Sequence, residues 1–328
     1  MMTIVVSARI MKNAGSENHY VIGSIKIKNS ERIKQMTKNQ EKIKAALERI
    51  DNGLAAINTD EDWLQYLAFQ SLFYNYSFRN AMLIYSQNSE ASYVKGYKAW
   101  NKLDRYVKKG SKGLAILAPC FRKIETFKEP DDKSEYQDSK GEKITKREIG
   151  GFRIVYVYDI VDTDGSDEHL PVLVKGLSGN DEELKEIYEK LHSIISLDHQ
   201  IVDVHGTSSK GSYNLDTGVI RIRSDLQYLQ KIKTIIHEYA HAIDFSMNPE
   251  SDLSRNKREL VAESAAFVVS MRLGLDTSAY SMGYINSWLK DKGELKIIAN
   301  TVQKVSHSII NKLAESSDSA FFNLEEEK

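Results

Sequence analysis

One stretch constrains this chain more than any other: Ile235-Ile236-His237-Glu238-Tyr239-Ala240-His241-Ala242-Ile243. It reads H-E-x-x-H inside an apolar run. On a helix, His237 and His241 fall one turn apart on the same face. Two imidazoles at that spacing can hold one Zn²⁺, which prefers nitrogen ligands in a tetrahedral arrangement. Glu238 follows the first His and lies beside the metal without having to bind it. That is where a general base must stand to take a proton from water polarised by the metal. From Thr234 to Ile243 there is no charge outside the motif, as suits a helix buried behind a cleft. The rival reading of the pentapeptide is an amphipathic helix with two satisfied core histidines.

A second helical segment supports the metal reading. It begins near Asn256 and runs Arg258-Glu259-Leu260-Val261-Ala262-Glu263-Ser264-Ala265-Ala266-Phe267. Glu259 and Glu263 are again one turn apart. A third ligand and a second carboxylate to orient a ligand His are what a zinc hydrolase requires. Carboxylates on the apolar side of a helix are costly unless paired or metal-bound. The plainer reading of the two is a solvated helix face.

The rest of the composition limits the alternatives. The chain has 328 residues, enough for two domains, with 41% hydrophobic and 28% charged residues, so a globular fold is expected. Cys120 is the single cysteine, which rules out an intrachain disulfide and a cysteine-based zinc cluster and favours a reducing, cytoplasmic compartment. No apolar run approaches the length of a membrane span, and no membrane partner is expected. The formal net charge is −1, so nucleic-acid binding has to come from a local patch.

Residues 1–30 read as an uncertain N-terminal extension in which Thr3 to Val6 and Tyr20 to Ile22 look strand-like. Apolar residues recur helically from Glu31 to Ile57, with Gly53 near the end. Asn58-Thr59-Asp60 offers caps for the next helix, and Ser77 can cap one running to about Asn88. Leu114 to Leu117 reads as a buried strand. Residues 123–149 read as a charged loop of low hydrophobicity, and Gly151 to Tyr158 as a strand. A domain boundary is placed between about 165 and 180. Beyond it come a helix at Glu182 to Ile195, a strand near Gln200 to Val204, a hairpin around Asp216-Thr217-Gly218, and the two helices described above. A strand just before the His-bearing helix can hold an extended peptide by backbone pairing. Helices are also expected at Tyr284 to Leu289 and from Gly293 to Leu313.

Between Lys95 and Lys112 the chain carries seven basic residues against one acid, Asp104, with Tyr97, Trp100 and Tyr106 interleaved. Cations that neutralise phosphates, beside aromatic faces on which bases stack, are the ingredients of a single-strand groove. A basic surface whose aromatics point into the core has the same composition. The candidate DNA-contacting residues are Lys95, Lys98, Trp100, Arg105, Lys108, Lys109 and Lys112.

Three segments carry a resemblance to a known family: Phe78-Arg79-Asn80-Ala81-Met82-Leu83-Ile84-Tyr85-Ser86-Gln87, Val94 to Trp100, and Val107-Lys108-Lys109-Gly110-Ser111-Lys112-Gly113. Together with the H-E-x-x-H and the Arg258 to Phe267 stretch, they resemble the ArdC-like antirestriction proteins, over about residues 35–290. More distantly, the second half is similar to the ImmA/IrrE-type metallopeptidases. One departure is Asp104, which stands where the family often has Gly. The resemblance implies an α+β protein of a mobile element: a single-stranded-DNA-binding α/β domain at 31–170 and a zincin-like metallopeptidase domain at 171–328. In a gluzincin-like site, Glu259 is the third ligand beside His237 and His241, Glu263 accepts a hydrogen bond from a ligand His, and Glu238 is the catalytic base; the roles of Glu259 and Glu263 can be exchanged. The implied cofactor is Zn²⁺ or another divalent first-row metal. The implied partners are single-stranded DNA and a protein substrate that the sequence does not name. The rivals are a metalloprotease that cleaves a repressor or host defence protein, and a DNA-coating module with a purely structural metal.

Overall fold

Thr59 and Ser77 start the first two short helices as their positions predict. The Thr59 hydroxyl accepts from the Asp62 amide at 3.1 Å, and the Asp62 carboxylate accepts from the Thr59 amide at 2.9 Å, closing a capping box on α2 (Asp60–Leu72). Ser77 accepts from the Asn80 amide and opens α3 (Phe78–Tyr85). Ahead of both lies α1 (His19–Ala56). The computed structural model describes residues 19–127, 143–170, 181–249, 253–278 and 292–316. Helix α1 takes in Tyr20 to Ile22, which read as strand in the sequence; β propensity over three residues is a weak prior that a long helix overrides. It also runs through Gly53, where a Cβ would lie 2.9 Å from Met82 Sδ, so the missing side chain lets α1 and α3 pack closely.

Three antiparallel strands follow in the order β1 (Val94–Gly96), β4 (Lys143–Asp159), β3 (Leu114–Phe127). β3 is an edge strand, and α3 covers it with two side-chain amides. Asn80 donates to Leu117 O at 3.0 Å and accepts from Leu117 N at 2.9 Å. Gln87 treats Ala115 the same way, at 3.0 Å in both directions. Each amide stands in for a neighbouring strand and closes an otherwise open edge.

The charged loop expected at 123–149 is instead the distal part of this hairpin. β3 extends to Phe127 and β4 starts at Lys143, in register from Phe121 opposite Ile149 to Phe127 opposite Lys143. Its described side chains are largely exposed, so it lacks the alternating apolar signal that a half-buried strand shows. Helix α4 (Tyr97–Lys102) ends in Leu103 and Asp104, and β2 (Arg105–Val107) then pairs antiparallel with β5 (Thr163–Gly165). Asp104 has φ of 54°. That left-handed conformation favours Gly and is tolerated by Asp, so Asp can stand at a position of this shape.

In the second half, α5 (Asp181–Ile195) leads to a mixed sheet in the order β6 (Ile201–Val204), β8 (Ile220–Arg223), β7 (Gly211–Tyr213). β6 runs parallel to β8, and β7 runs antiparallel to it. Helices α6 (Tyr228–Met247), α7 (Arg255–Arg272) and α8 (Lys292–Glu315) complete the described chain. The architecture is mixed α and β. No described helix is long and apolar enough to cross a membrane.

One buried cluster joins Ile50, Leu54, Trp63 and Met82 of the first half to Ile235, Val261, Val268 and Val302 of the second. Trp63 is fully buried and its indole N–H donates to Ser264 Oγ on α7 at 3.0 Å. A second, smaller cluster lies between the sheet and α2 and α3, around Phe69, Phe73, Ile84, Ile116 and Val157. The helix read at Tyr284 to Leu289 and most of the 165–180 boundary fall outside the described residues.

Candidate metal centre and nucleic-acid interface

The apolar periodicity of α6 buries Ile232, Ile235, Ile236 and Tyr239 and leaves His237 and His241 on the side that faces α7. α7 presents Glu259 to both imidazoles. Glu259 Oε2 lies 3.4 Å from His237 Nε2 and 3.5 Å from His241 Nε2. One ligand atom from each of the three residues lies within 4.8 Å of the others. Two ligands bonded to one tetrahedral Zn²⁺ at about 2.0–2.1 Å stand roughly 3.4 Å apart, so the spacing and the donor types fit a divalent ion.

Glu263 sits one turn along α7, with Oε2 at 3.4 Å from Nδ1 of His237. Its other oxygen pairs with the Lys233 ammonium, from the turn of α6 before His237. Glu263 thus lies behind the ring, opposite the nitrogen that faces Glu259. That is the position of a group that fixes a ligand's tautomer and orientation.

Helices α6 and α7 are clamped by a further pair. Arg258 Nη1 donates to Asp244 Oδ2 at 2.8 Å, both groups are buried, and the guanidinium lies 4.3 Å from the Phe245 ring centroid. Asp244 is three residues past His241, and Arg258 immediately precedes Glu259. Sequence reading missed this pair; its only signal was two charges beside the motif residues.

Charge in the site follows from this packing. Burial works against a charged His237, but Glu259 and Glu263 outweigh it and hold the imidazolium up at about 9. The facing His237 and His241 hold Glu259 well below the ordinary carboxylate range. Burial alone would raise Glu263, but His237 and Lys233 hold it down at about 2. Glu238 is shifted the other way: burial raises it, against the lowering influence of the two histidines and the Tyr213 amide.

Strand β7 lies directly over Glu238. A Cβ on Gly211 would sit 2.5 Å from Thr234 Cγ2 and 3.0 Å from Glu238 Oε1. Gly211 therefore lets the strand approach the helix, and the Tyr213 amide can then reach the Glu238 carboxylate. The outer side of β7 borders a cleft of about 1200 Å³ whose walls include Ser212, His237, His241, Arg255 and Glu259.

The basic segment divides in two. Lys98, Lys108, Lys109 and Lys112 are exposed, with Lys108 also 3.4 Å from Asp164. Lys95 is half-buried, its ammonium 4.9 Å from the Tyr93 ring. Trp100 and Arg105 do not face solvent. Trp100 is 0% exposed, donates to Tyr158 O at 2.9 Å, and meets Tyr93 edge-on. Arg105 donates to Thr163 Oγ1 at 2.9 Å and to Thr163 O at 3.2 Å, and pairs with Asp167, so its charge is spent joining β2 to β5. Both residues are buried in the scaffold and face away from solvent. The exposed aromatics here are Tyr97 and Tyr106, with Tyr156 on β4 as a residue the sequence reading passed over. The alternation from Ile154 to Tyr158 was the available signal, since every second residue of a strand faces the same way.

Residues 33–158 match the family model of the N-terminal domain of anti-restriction factor ArdC. This segment is ArdC-like. The matched segment takes in α2, α3, the three-stranded sheet and the basic segment, so the amides that cover the edge of β3 are part of the ArdC-like domain. An uncharacterized Bacillus anthracis protein, pXO2-81, is 24% identical over 328 residues, covering 90% of this chain and 55% of that protein. This chain thus spans little more than half the length of that curated relative. Among solved structures, metal-free antirestriction ArdC from plasmid R388 is 20% identical, with a TM-score of 0.45 over 73% of this chain and 85% of that one. The Mn(II)-bound form of the same protein is 19% identical, with a TM-score of 0.44 over 73% and 86%.

Proposed function

We infer that this ArdC-like chain binds single-stranded DNA through residues 31–170 and carries a zincin-like, divalent-metal site in residues 171–328. On this reading it protects incoming DNA of a mobile element in the cytoplasm. The observation that carries the metal half is the convergence of His237, His241 and Glu259 with the buried Glu238 beside them. These three residues would hold Zn²⁺ or another first-row ion. A metal there supplies Lewis acidity, which polarises a carbonyl and makes water easier to deprotonate.

The chain's own residues do the rest. Glu238, whose proton affinity burial has raised, is placed to accept a proton and return it to a leaving amine. The Tyr213 amide favours the charged form of that carboxylate. The outer edge of β7 offers backbone groups to an extended peptide beside it. Glu263, fixed by Lys233, keeps the His237 ring turned toward Glu259.

For DNA, the support is the ArdC-like N-terminal segment together with exposed Lys98, Lys108, Lys109 and Lys112 and exposed Tyr97, Tyr106 and Tyr156. A second reading, a metal that only braces the fold, draws on the way Glu238 ties β7 to α6. N-terminal proteomics of cell lysate incubated with the metal-loaded protein and with Glu238→Gln separates the two. New termini made by the wild type and not by the variant support a peptidase. Identical termini in both, with the metal retained, favour the bracing role.

A further inference from the structure

The ribbon beyond the three-stranded sheet carries different chemistry on its two faces. Across it, Phe121 opposes Ile149, Arg122 opposes Glu148, Lys123 opposes Arg147 and Ile124 opposes Lys146. Directly opposed residues share a face, and faces alternate along a strand. One face therefore holds Arg122 with Glu148, whose Nη2 and Oε2 are 3.7 Å apart. The other holds Phe121 with Ile149, 62% and 55% exposed, and next to them Lys123 with Arg147, both exposed. Among the described residues, no carboxylate pairs with either of these two cations. A pair of like charges is relieved by an anion, and a large exposed apolar pair by a flat apolar partner. A bulge between Cys120 and Phe121, with Gly151 at φ of 154°, separates the ribbon from the packed sheet. Bulges of this kind sharpen the local twist and re-aim the side chains beyond them.

We propose that this face of the ribbon is a second contact surface for single-stranded nucleic acid, with Phe121 stacking a base and Lys123 and Arg147 gripping one phosphate. The inference rests on the single-strand reading of the ArdC-like domain and extends it to residues that the basic segment does not contain. A flat apolar group one strand-step from a doubled cation matches the alternation of base and phosphate along a single strand. An acidic polypeptide would satisfy the cations and leave Phe121 without a planar partner.

The test uses the full chain and a fluorescent oligothymidylate, with anisotropy read across a salt series. Lys123→Ala/Arg147→Ala should reduce the log–log salt slope by about 0.7, the share of one phosphate on a single strand. Phe121→Ala should weaken binding about tenfold with the slope kept. Arg122→Ala, on the opposite face, should bind as the wild type does. All the altered side chains are exposed, so thermal melting should be unchanged. Wild-type affinity and slope in the Phe121 and Lys123/Arg147 variants would overturn the proposal while leaving the single-strand reading intact. So would an equal loss in Arg122→Ala, which would mark a general charge effect, or, with labelled polyglutamate titrated in parallel, variants that lose polyglutamate and keep the oligonucleotide. A wild-type chain that binds no oligonucleotide would bring down the parent reading and this one together.

Discussion

Glu263 Oε2 stands 3.4 Å from Nδ1 of His237, on the far side of the ring from the nitrogen that faces Glu259. The two carboxylates of α7 therefore face different atoms of the histidine pair. Glu259 shares the space between Nε2 of His237 and Nε2 of His241, and Glu263 holds one ring from behind. Glu259→Ala should strip the metal, and Glu263→Ala should weaken it by about 10–100-fold. Metal titration of both purified variants checks this. The larger loss at Glu263 would mean that the roles are reversed.

Metal affinity should rise with pH. The metal-free site holds the His237 imidazolium up at about 9, above its ordinary 6.5, because Glu259 and Glu263 outweigh burial. Near neutrality a metal must displace that proton before it binds. Apparent affinity should then climb about tenfold per pH unit from roughly 7 to 9 and flatten above, the signature of one released proton. Calorimetric titration across this range reads it, and a flat profile would contradict the proton count.

Gly211 should tolerate no side chain. Its Cβ would meet Thr234 Cγ2 at 2.5 Å, and β7 would have to lift from α6 and carry the Tyr213 amide away from Glu238. Gly211→Ala should lower the melting temperature by several degrees, as overpacking of about 1–3 kcal/mol does. Thr234→Ser in the same chain removes the clashing methyl and should restore part of the loss. No recovery would place the strain at the Arg221 carbonyl, also 3.0 Å away.

Trp100 should behave as a core residue. Trp100→Ala should cost about 3–5 kcal/mol of stability. Trp100→Phe should keep the fold and the oligonucleotide affinity, whereas Lys109→Ala/Lys112→Ala should flatten the salt slope at unchanged melting temperature. Selective loss of binding in a folded Trp100→Phe chain would return the indole to the surface.

The parts legible in the sequence were those with a strong local period or a cap. The helices bearing His237 and Glu259, the Thr59 and Ser77 caps and the hairpin before α6 all announce themselves within a few residues. The ribbon from Phe121 to Ile149 did not, because its described side chains largely face water and give no alternation. Trp100 and Tyr97 look alike in composition, and only the Tyr158 carbonyl that takes up the indole N–H separates them. Arg105 likewise reads as a free cation until Thr163 and Asp167, far along the chain, close on it. Asn80 and Gln87 were visible as part of a family-like segment, but their work on the edge of β3 depends on a strand some thirty residues away.

Anomalous diffraction from crystals grown with Zn²⁺ or Mn²⁺ decides whether α6 and α7 hold a metal. One strong peak is expected at bonding distance, about 2.0–2.2 Å, from Nε2 of His237, Nε2 of His241 and a carboxylate oxygen of Glu259, with Glu238 nearby and unbound. A peak held by other residues, or none in crystals of protein saturated with metal, would contradict it.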